Sequence, residues 1–493
     1  MLKEFVRPED GLSKEERKEA VKKYKKDFTA LLNPLKESKI PVIVLVEGWA
    51  SSGKGYLINE LISEIDPRFF SVFSLDTAQD SHRYPFIYPY YCAIPENGKM
   101  LFMDSGWLSQ TVEDCVNGRL AAAEREKRLR SINNFERQMK NNGCVVLKLF
   151  INCSKKKQKK TQENLLSDKN TRWRISEKDL AQNDRYGEYQ KEYDYWMNAT
   201  SITPWHILDS DSKGTVIYDA FKLLYDTIKA SIENGKFDAP PYEEAFTLSD
   251  PLPSLDKCDT GAFLDDETYK KELKKLQKDI SELHNIIYRK KIPFVICYEG
   301  WDAAGKGGNI RRLAKPLDPR GFDTYPIASP EPHEKARHHL WRFWTKIPRT
   351  GHVAIFDRTW YGRVMVERIE GFCSENEWRR AYNEINEFEK ELSDWGAVVI
   401  KFWIQIDKDT QLQRFTERQN TPEKQWKITD EDWRNREKWD KYEEAVNDML
   451  KRTSTAFAPW HIIESYDKKY ARIKALRIVR DAMKKAVSED SNE

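Results

Sequence analysis

Nowhere in its 493 residues does this chain approach the roughly 18 to 20 uninterrupted apolar residues that a membrane-spanning helix needs. Its N-terminus, Met1-Leu2-Lys3-Glu4-Phe5, also lacks the apolar core of a signal peptide. Cysteine is scarce: there are seven, an odd number, with no CxxC pair, which argues against both a disulfide framework and a zinc site. Net charge is nearly absent as well. The 83 Lys plus Arg against 80 Asp plus Glu leave +3, too little for a general nucleic-acid binder, although a local basic groove for a polyanion is compatible with a balanced total. These absences argue against membrane spanning and secretion, and a cytoplasmic location is the expectation. What the chain has in quantity is aromatic residues, 12% including 16 Trp, which suits packed cores rather than disorder despite a mean hydropathy of -0.77.

The length exceeds one ordinary domain, and the chain repeats itself. Laid on itself at an offset of about 252 to 255 residues, Pro41-Val-Ile-Val-Leu-Val-Glu-Gly-Trp49 meets Pro293-Phe-Val-Ile-Cys-Tyr-Glu-Gly-Trp301. Asp66-Pro67-Arg68 meets Asp318-Pro319-Arg320, Asp104 with Trp107 meets Asp357 with Trp360, and Pro204-Trp205-His206-Ile207 meets Pro459-Trp460-His461-Ile462. Between the copies, residues 236–262 carry turn formers and no apolar periodicity. We therefore expect a domain over 1–235, a linker over 236–262 and a second domain over 263–493.

In the second copy Tyr269, Leu273, Leu276, Ile280, Leu283 and Ile287 recur every three or four residues, the stripe of an amphipathic helix. Short apolar runs at Val42 to Val46, Val145 to Ile151, Phe294 to Tyr298, Val353 to Phe356 and Ala397 to Ile406 are separated by helical segments. That alternation predicts an α/β fold in each copy: a parallel sheet between two helical layers.

Gly300-Trp-Asp-Ala-Ala-Gly305-Lys306 fits G-x-x-x-x-G-K, follows a predicted strand and precedes the helix-like Asn309-Ile-Arg-Arg-Leu-Ala314. Such glycines let backbone N–H groups close around phosphate oxygens at a helix N-terminus, and Lys306 adds a point charge. The next residue is Gly307, not the Ser or Thr whose hydroxyl ordinarily helps to hold magnesium in such loops. A metal therefore needs other ligands, and Asp302 and Asp357 are the carboxylates placed at the C-terminal edge of the sheet. Arg358, Tyr361, Arg363, Glu367 and Arg368 follow, positive charge of the kind phosphoryl transfer requires. The basic segment from Arg414 and Arg418 to Lys424 and Lys427 lies where a lid would close over phosphates, although a solvated face would show the same charge run. His333, Lys335, Arg337, His338, His339, Arg342, Lys346, Arg349 and His352, interleaved with Trp341 and Trp344, read either as a groove for a linear polyanion or as a helix with Trp inward and cations in water. His461 recurs as His206, which marks it as structural.

Glu299-Gly-Trp-Asp-Ala-Ala-Gly-Lys-Gly307, Phe356-Asp-Arg-Thr-Trp-Tyr-Gly-Arg363 and the Arg414 to Asp430 segment resemble the polyphosphate kinase 2 family, in its fused two-domain subclass. The resemblance implies tandem P-loop kinase-like three-layer domains with a helical lid. It also implies transfer of the terminal phosphoryl of inorganic polyphosphate to AMP, giving ADP, with magnesium and with manganese as the alternative ion. Asp302, Lys306, Asp357 and Arg358 match the family's catalytic positions, with Gly300, Gly305, Gly307, Arg363, Glu367, Arg414, Arg418 and Lys427 as phosphate- or nucleotide-binding positions. The same resemblance suggests self-association, and neither nucleic acid nor a membrane as partner. Thr359 and Gly362 stand where Ser and Asn are common. Asp302 either holds metal or orients the acceptor phosphate. An ATP-dependent nucleoside monophosphate kinase and a non-catalytic polyphosphate-binding protein are the alternatives.

The first copy keeps Lys54 but has Ala50 in place of Asp302. Arg358 becomes Ser105, Tyr361 Leu108, Arg363 Gln110, Arg414 Thr161 and Arg418 Leu165. It is expected to be catalytically silent, with Lys54 and the Lys155–Lys160 run left as weak attractors of phosphate.

Overall fold

The apolar runs become the centres of two parallel five-stranded sheets. The computed structural model describes residues 1–6, 10–75, 83–210 and 212–489, the side chains of Lys424 and Lys427 lying outside the described set. In the first half the strands are β1 (Val42–Gly48), β2 (Phe70–Ser74), β3 (Met100–Asp104), β4 (Val145–Asn152) and β5 (Trp205–Asp209). In the second they are β6 (Phe294–Gly300), β7 (Phe322–Pro326), β8 (Val353–Asp357), β9 (Val398–Gln405) and β10 (Trp460–Glu464). The sheet orders are β2-β3-β1-β4-β5 and β7-β8-β6-β9-β10, one topology used twice.

Both central strands are buried along their length, as strands covered on two faces must be. Val42, Val44 and Val46 of β1 point at the long helices Lys14–Glu37 and Lys213–Asn234, meeting Phe28, Leu32, Leu35, Phe221 and Leu224. The amphipathic stripe from Tyr269 to Ile287 lies on the helix Asp266–Lys290, which packs against Lys468–Glu489. Asp265 caps it by accepting from the Thr268 N–H, satisfying a donor the helix leaves open. In the edge strands β2 and β7 the first and fourth residues are half-buried and the other three exposed.

The chain divides into two compact units. Among the described residues the first takes the chain before residue 76, Phe86–Ala239 and Pro332–Trp341; the second takes residues 83–85, Pro240–Glu331 and the chain from Arg342. Residues 240–262 thus belong to the second unit. Their backbone is tied down by Ser249 N–H donating to Ser454 O at 2.8 Å and by Thr247 O accepting from Ala456 N–H at 2.8 Å. Among the described residues no helix is long and apolar enough to cross a membrane.

Candidate active site

In the second unit β6 runs out at Gly300, turns through Trp301–Gly305, and the helix Lys306–Ala314 begins. Gly300 has φ +149°, and a Cβ there would stand 2.5 Å from Ile404 O of the neighbouring strand, so only glycine fits. Gly305, at φ +113°, opens the helix with its first N–H groups facing outward. Ala303 and Arg358 also sit at positive φ, +62° and +65°, an uncommon geometry for non-glycine residues, and Ser51 and Ser105 repeat it in the first unit at +60° and +62°. The backbone of the site is therefore copied in both halves even where the side chains differ.

Lys306 curls back on its own loop, its Nζ donating to Gly300 O at 2.6 Å and Trp301 O at 3.2 Å. Asp302 is fully engaged: Oδ1 accepts from Arg358 Nη2 at 3.3 Å and Oδ2 from Asn435 Nδ2 at 3.0 Å. Gln411 holds the Asp302 carbonyl at 3.2 Å. Beneath the loop the buried Glu299 carboxylate accepts from the Thr359 N–H at 2.7 Å and hydroxyl at 2.8 Å, which fixes the Asp357–Trp360 turn against the loop. Burial raises the Glu299 carboxyl above its ordinary value, and Lys306, Thr359 and Arg358 oppose that. Trp301 stacks on Trp439 with ring centroids 3.7 Å apart and planes at 10°, and its Nε1 donates to Gln405 at 3.0 Å.

Asp357 ends β8 and is half-buried; its carboxylate makes no hydrogen bond or ion pair among the described residues. Of Arg358, Arg363 and Arg368, which follow it closely, Arg358 is the one that reaches the loop. Arg363 pairs with Glu367 at 3.2 Å, and Arg368 is held by Asp448 at 2.8 Å and Tyr382 at 3.2 Å. Arg414 is not a free lid cation. It is buried, with Nη1 donating to Ala303 O at 3.1 Å and Ala304 O at 3.0 Å, and Nη2 donating to Ser465 O and to Tyr466 O at 3.2 Å. One guanidinium clamps the phosphate loop to the turn after β10. Lys427 ends the turn Pro422–Lys427 between the helices Lys408–Gln419 and Asp430–Glu437, and its side chain lies outside the described set.

Two clefts flank the loop. One, of about 70 Å³, is lined by Asp302, Lys306 and Arg358 on the loop side and by Trp403, Asn435, Trp439 and Tyr442 opposite. The other, of about 260 Å³, is lined by Ala303 and Gly305 of the loop and by Arg414, Arg418, Lys468 and Arg472. Sequence reasoning missed Asn435, Gln411, Lys468 and Arg472. The i, i+4 pair of cations opening the helix after the Pro-Trp-His-Ile strand was the available signal for the last two. Gly307 borders open space.

The basic stripe is divided by local structure. His338 and His352 are buried, Lys346 donates to Arg342 O at 2.9 Å, Arg349 Nε donates to His352 Nε2 at 3.1 Å, and Trp344 packs edge-on to Phe388. Trp inward therefore describes that part of the segment. Arg337 belongs to the first unit, where it donates to Ile94 O at 3.1 Å and pairs with Glu96 at 3.2 Å.

In the first unit Lys54 repeats the curl, donating to Trp49 O at 3.1 Å and Gly48 O at 3.3 Å. Ala50 offers no carboxylate, and its N–H is taken by Gln182 Oε1 at 2.7 Å. Gln158 donates to Ala50 O at 3.1 Å and to Gln182 at 2.8 Å, so a buried amide network fills the ground that Asp302, Gln411 and Asn435 occupy in the second unit.

The model of the family described as Polyphosphate kinase 2 matches residues 11–236 and 263–491. A Pseudomonas syringae pv. tomato protein named polyphosphate:AMP phosphotransferase is 38% identical over 464 residues, 92% of each chain. An Acinetobacter johnsonii protein of the same name is 36% identical over 459 residues, covering 92% of this chain and 94% of its own. A Pseudomonas aeruginosa crystal structure assigned to polyphosphate kinase 2 superposes with a TM-score of 0.83 at 36% identity, covering 97% of this chain and 98% of that one. With both halves matched and the P-loop geometry present in each, the chain belongs to the polyphosphate kinase 2 family.

Proposed function

We propose that the second unit moves the terminal phosphoryl group of inorganic polyphosphate to AMP, giving ADP and a polyphosphate one unit shorter. The observation that carries this reading is the Lys306, Asp302, Arg358 and Asp357 constellation around an intact phosphate loop, in a chain whose relatives over 92% of its length are named polyphosphate:AMP phosphotransferase. An AMP phosphate oxygen attacks the terminal phosphorus, and the bridging P–O bond to the next phosphate breaks with its electrons leaving on the shortened chain. Positioning and positive charge supply most of such a barrier reduction. Lys306 exchanges the Gly300 and Trp301 carbonyls for phosphate oxygens, and Arg358 stabilises the transferring group from the opposite side.

Asp357 fits a magnesium ligand because its carboxylate is uncommitted, whereas Asp302 must first release Arg358 and Asn435. Among the described residues no third ligating side chain joins them, which suits an ion that keeps waters and substrate phosphates in its shell. Magnesium, or manganese in its place, would neutralise phosphate charge there. A cleft of about 70 Å³ is smaller than a nucleotide needs, so Asn435, Trp439 and Tyr442 must withdraw to admit AMP. Arg363, Glu367, Arg418 and Lys427 remain candidate phosphate or nucleotide contacts. The first unit, with its amide network and without the arginines, is catalytically silent. The reading places the protein in the cytoplasm, acting on small anions without nucleic-acid or membrane partners, and self-associating as its family resemblance suggests.

Purified protein with magnesium, AMP and either polyphosphate or ATP as donor tests this. ADP formed from polyphosphate is the expected result. ADP formed only from ATP would replace the reading with a nucleoside monophosphate kinase, and tight polyphosphate binding without turnover would replace it with a binding protein.

A further inference from the structure

We propose that residues 242–249 are a positioning strap for the catalytic turn of the second unit: they bind the loop after Thr453 and thereby leave Glu389 to hold Tyr361 and Trp360, beside Arg358. The segment reads in the sequence as linker and lies outside both regions matched by the family model. It is nevertheless anchored along its length. Tyr242, Glu244 and Phe246 are half-buried and alternate with exposed residues, the period of an extended chain lying against a surface. Tyr242 OH donates to Glu387 Oε1 at 2.9 Å and Asn383 Nδ2 donates to Tyr242 O, both partners on the helix Glu375–Asp394. Further on, Phe246 meets Phe457 with ring centroids 6.2 Å apart, and Leu248 forms an antiparallel bridge with Thr455. Ser249 meets Ser454 twice, N–H to carbonyl and hydroxyl to hydroxyl, each at 2.8 Å.

The two anchored elements are also the ones that hold the buried Lys401. Its Nζ donates to Glu389 Oε2 at 2.7 Å, on the helix Glu375–Asp394, and to Thr453 O at 2.6 Å, at the end of the helix Trp439–Thr453. The strap joins these helices from outside, as Asn386 Nδ2 does from within by donating to Arg452 O at 3.0 Å. A buried network that must hold several donors in one arrangement depends on such fixed ends.

The silent unit uses the same glutamate differently. Its loop between Thr200 and Pro204 is Ser-Ile-Thr, against Ser-Thr-Ala-Phe-Ala between Thr453 and Pro459. The Thr203 N–H and hydroxyl donate to Glu136 Oε2 at 3.2 and 3.1 Å, so the counterpart of Glu389 is spent on its own loop. In the second unit the residue before the proline is Ala458, which has no hydroxyl, and the Ala456 N–H goes to Thr247 O of the strap at 2.8 Å. Glu389 Oε1 accepts instead from Tyr361 OH at 2.6 Å and Trp360 Nε1 at 3.0 Å. In the silent unit Leu108 stands for Tyr361, and Trp107 Nε1 is buried with no hydrogen-bond partner among the described residues. The longer loop, the strap upon it and the redeployed glutamate thus occur together in the copy that keeps the arginines.

The test is a cycle in the full chain: residues 242–249 replaced by a Gly/Ser segment of equal length, Tyr361→Phe, and both together, each assayed with AMP and polyphosphate beside its melting temperature. The replacement is expected to lower kcat about tenfold, with the KM for AMP and for polyphosphate within about twofold of wild type. Tyr361→Phe should lower kcat as much, and the combined variant no further, because both act through one carboxylate. Phe246→Ala removes one anchor and keeps the backbone contacts, so its kcat should fall between wild type and the replacement; it stands in if the replaced chain melts below the assay temperature. Losses that multiply, a wild-type kcat at a lowered melting temperature, or a change confined to KM would overturn the strap. Only the assay rests on the polyphosphate reading above. If wild type makes no ADP from polyphosphate, that reading fails, and the same cycle read as urea unfolding midpoints by tryptophan fluorescence still decides the strap: non-additive shifts support it and additive ones overturn it.

Discussion

Lys401 Nζ lies 2.7 Å from Glu389 Oε2 with neither side chain exposed, and Lys148 Nζ meets Glu136 Oε1 at 2.8 Å, equally buried, in the first unit. Each lysine sits in the middle of an otherwise apolar strand and donates also to a carbonyl at the end of a packed helix, Thr453 O at 2.6 Å and Thr200 O at 2.7 Å. Burial lowers both lysines from their ordinary value, and the paired glutamate opposes it. In the second unit Glu389 also accepts from Tyr361 OH at 2.6 Å and Trp360 Nε1 at 3.0 Å, which ties the turn carrying Arg358 to the core. Lys401→Met strands the carboxylate and is expected to destabilise the second unit by about 3 to 5 kcal/mol. Adding Glu389→Leu should recover part of that, because Thr453 O, Tyr361 OH and Trp360 Nε1 stay unpaired. Urea unfolding followed by tryptophan fluorescence measures both, and additive losses would contradict the coupling.

Arg414 is expected to behave as a clamp. Arg414→Lys keeps the charge but cannot reach four carbonyls in two directions, so it should lose most activity and about 2 to 4 kcal/mol of stability, close to Arg414→Ala. A surface lid cation would instead be rescued by lysine. Steady-state kinetics and thermal unfolding of the two variants distinguish these.

Asp302 and Asp357 should separate in a magnesium titration. Asp357→Asn is expected to raise the magnesium needed for half-maximal rate roughly tenfold or more. Asp302→Asn weakens the Arg358 contact; if Asp302 orients the acceptor, the KM for AMP rises and the magnesium requirement holds. Equal magnesium shifts in both variants would make them joint ligands.

His461 carries a pH prediction. Burial, with Lys474 and Lys401 nearby, pulls its imidazole down to about 4. The folded chain therefore holds it neutral, its contribution is complete above the ordinary value near 6.5, and it is lost as pH falls from 6.5 through about 4, up to about 3 kcal/mol. His461→Gln should flatten that part of the stability profile in chemical unfolding between pH 7 and 4.5. Parallel profiles would contradict it.

The central strands and the phosphate loop were legible because a run such as Phe294–Tyr298 is buried on both faces and the glycine spacing has one use at a strand end. The edge strands Phe70–Ser74 and Phe322–Pro326 were not, since each buries only part of one face and shows no apolar run. Arg414 read as a lid cation because a charge run does not say that four carbonyls converge on one member of it. Lys148 and Lys401 were readable in principle, as a lysine at the centre of both copies of an apolar strand. Asn435 was not, because its partner Asp302 lies 133 residues away in sequence.

The most direct test of the account is ADP formation from polyphosphate and AMP by Lys306→Ala beside Lys54→Ala. Loss of about a hundredfold or more in the first, with wild-type rate in the second, is the predicted result. Comparable loss in both would contradict a single active unit.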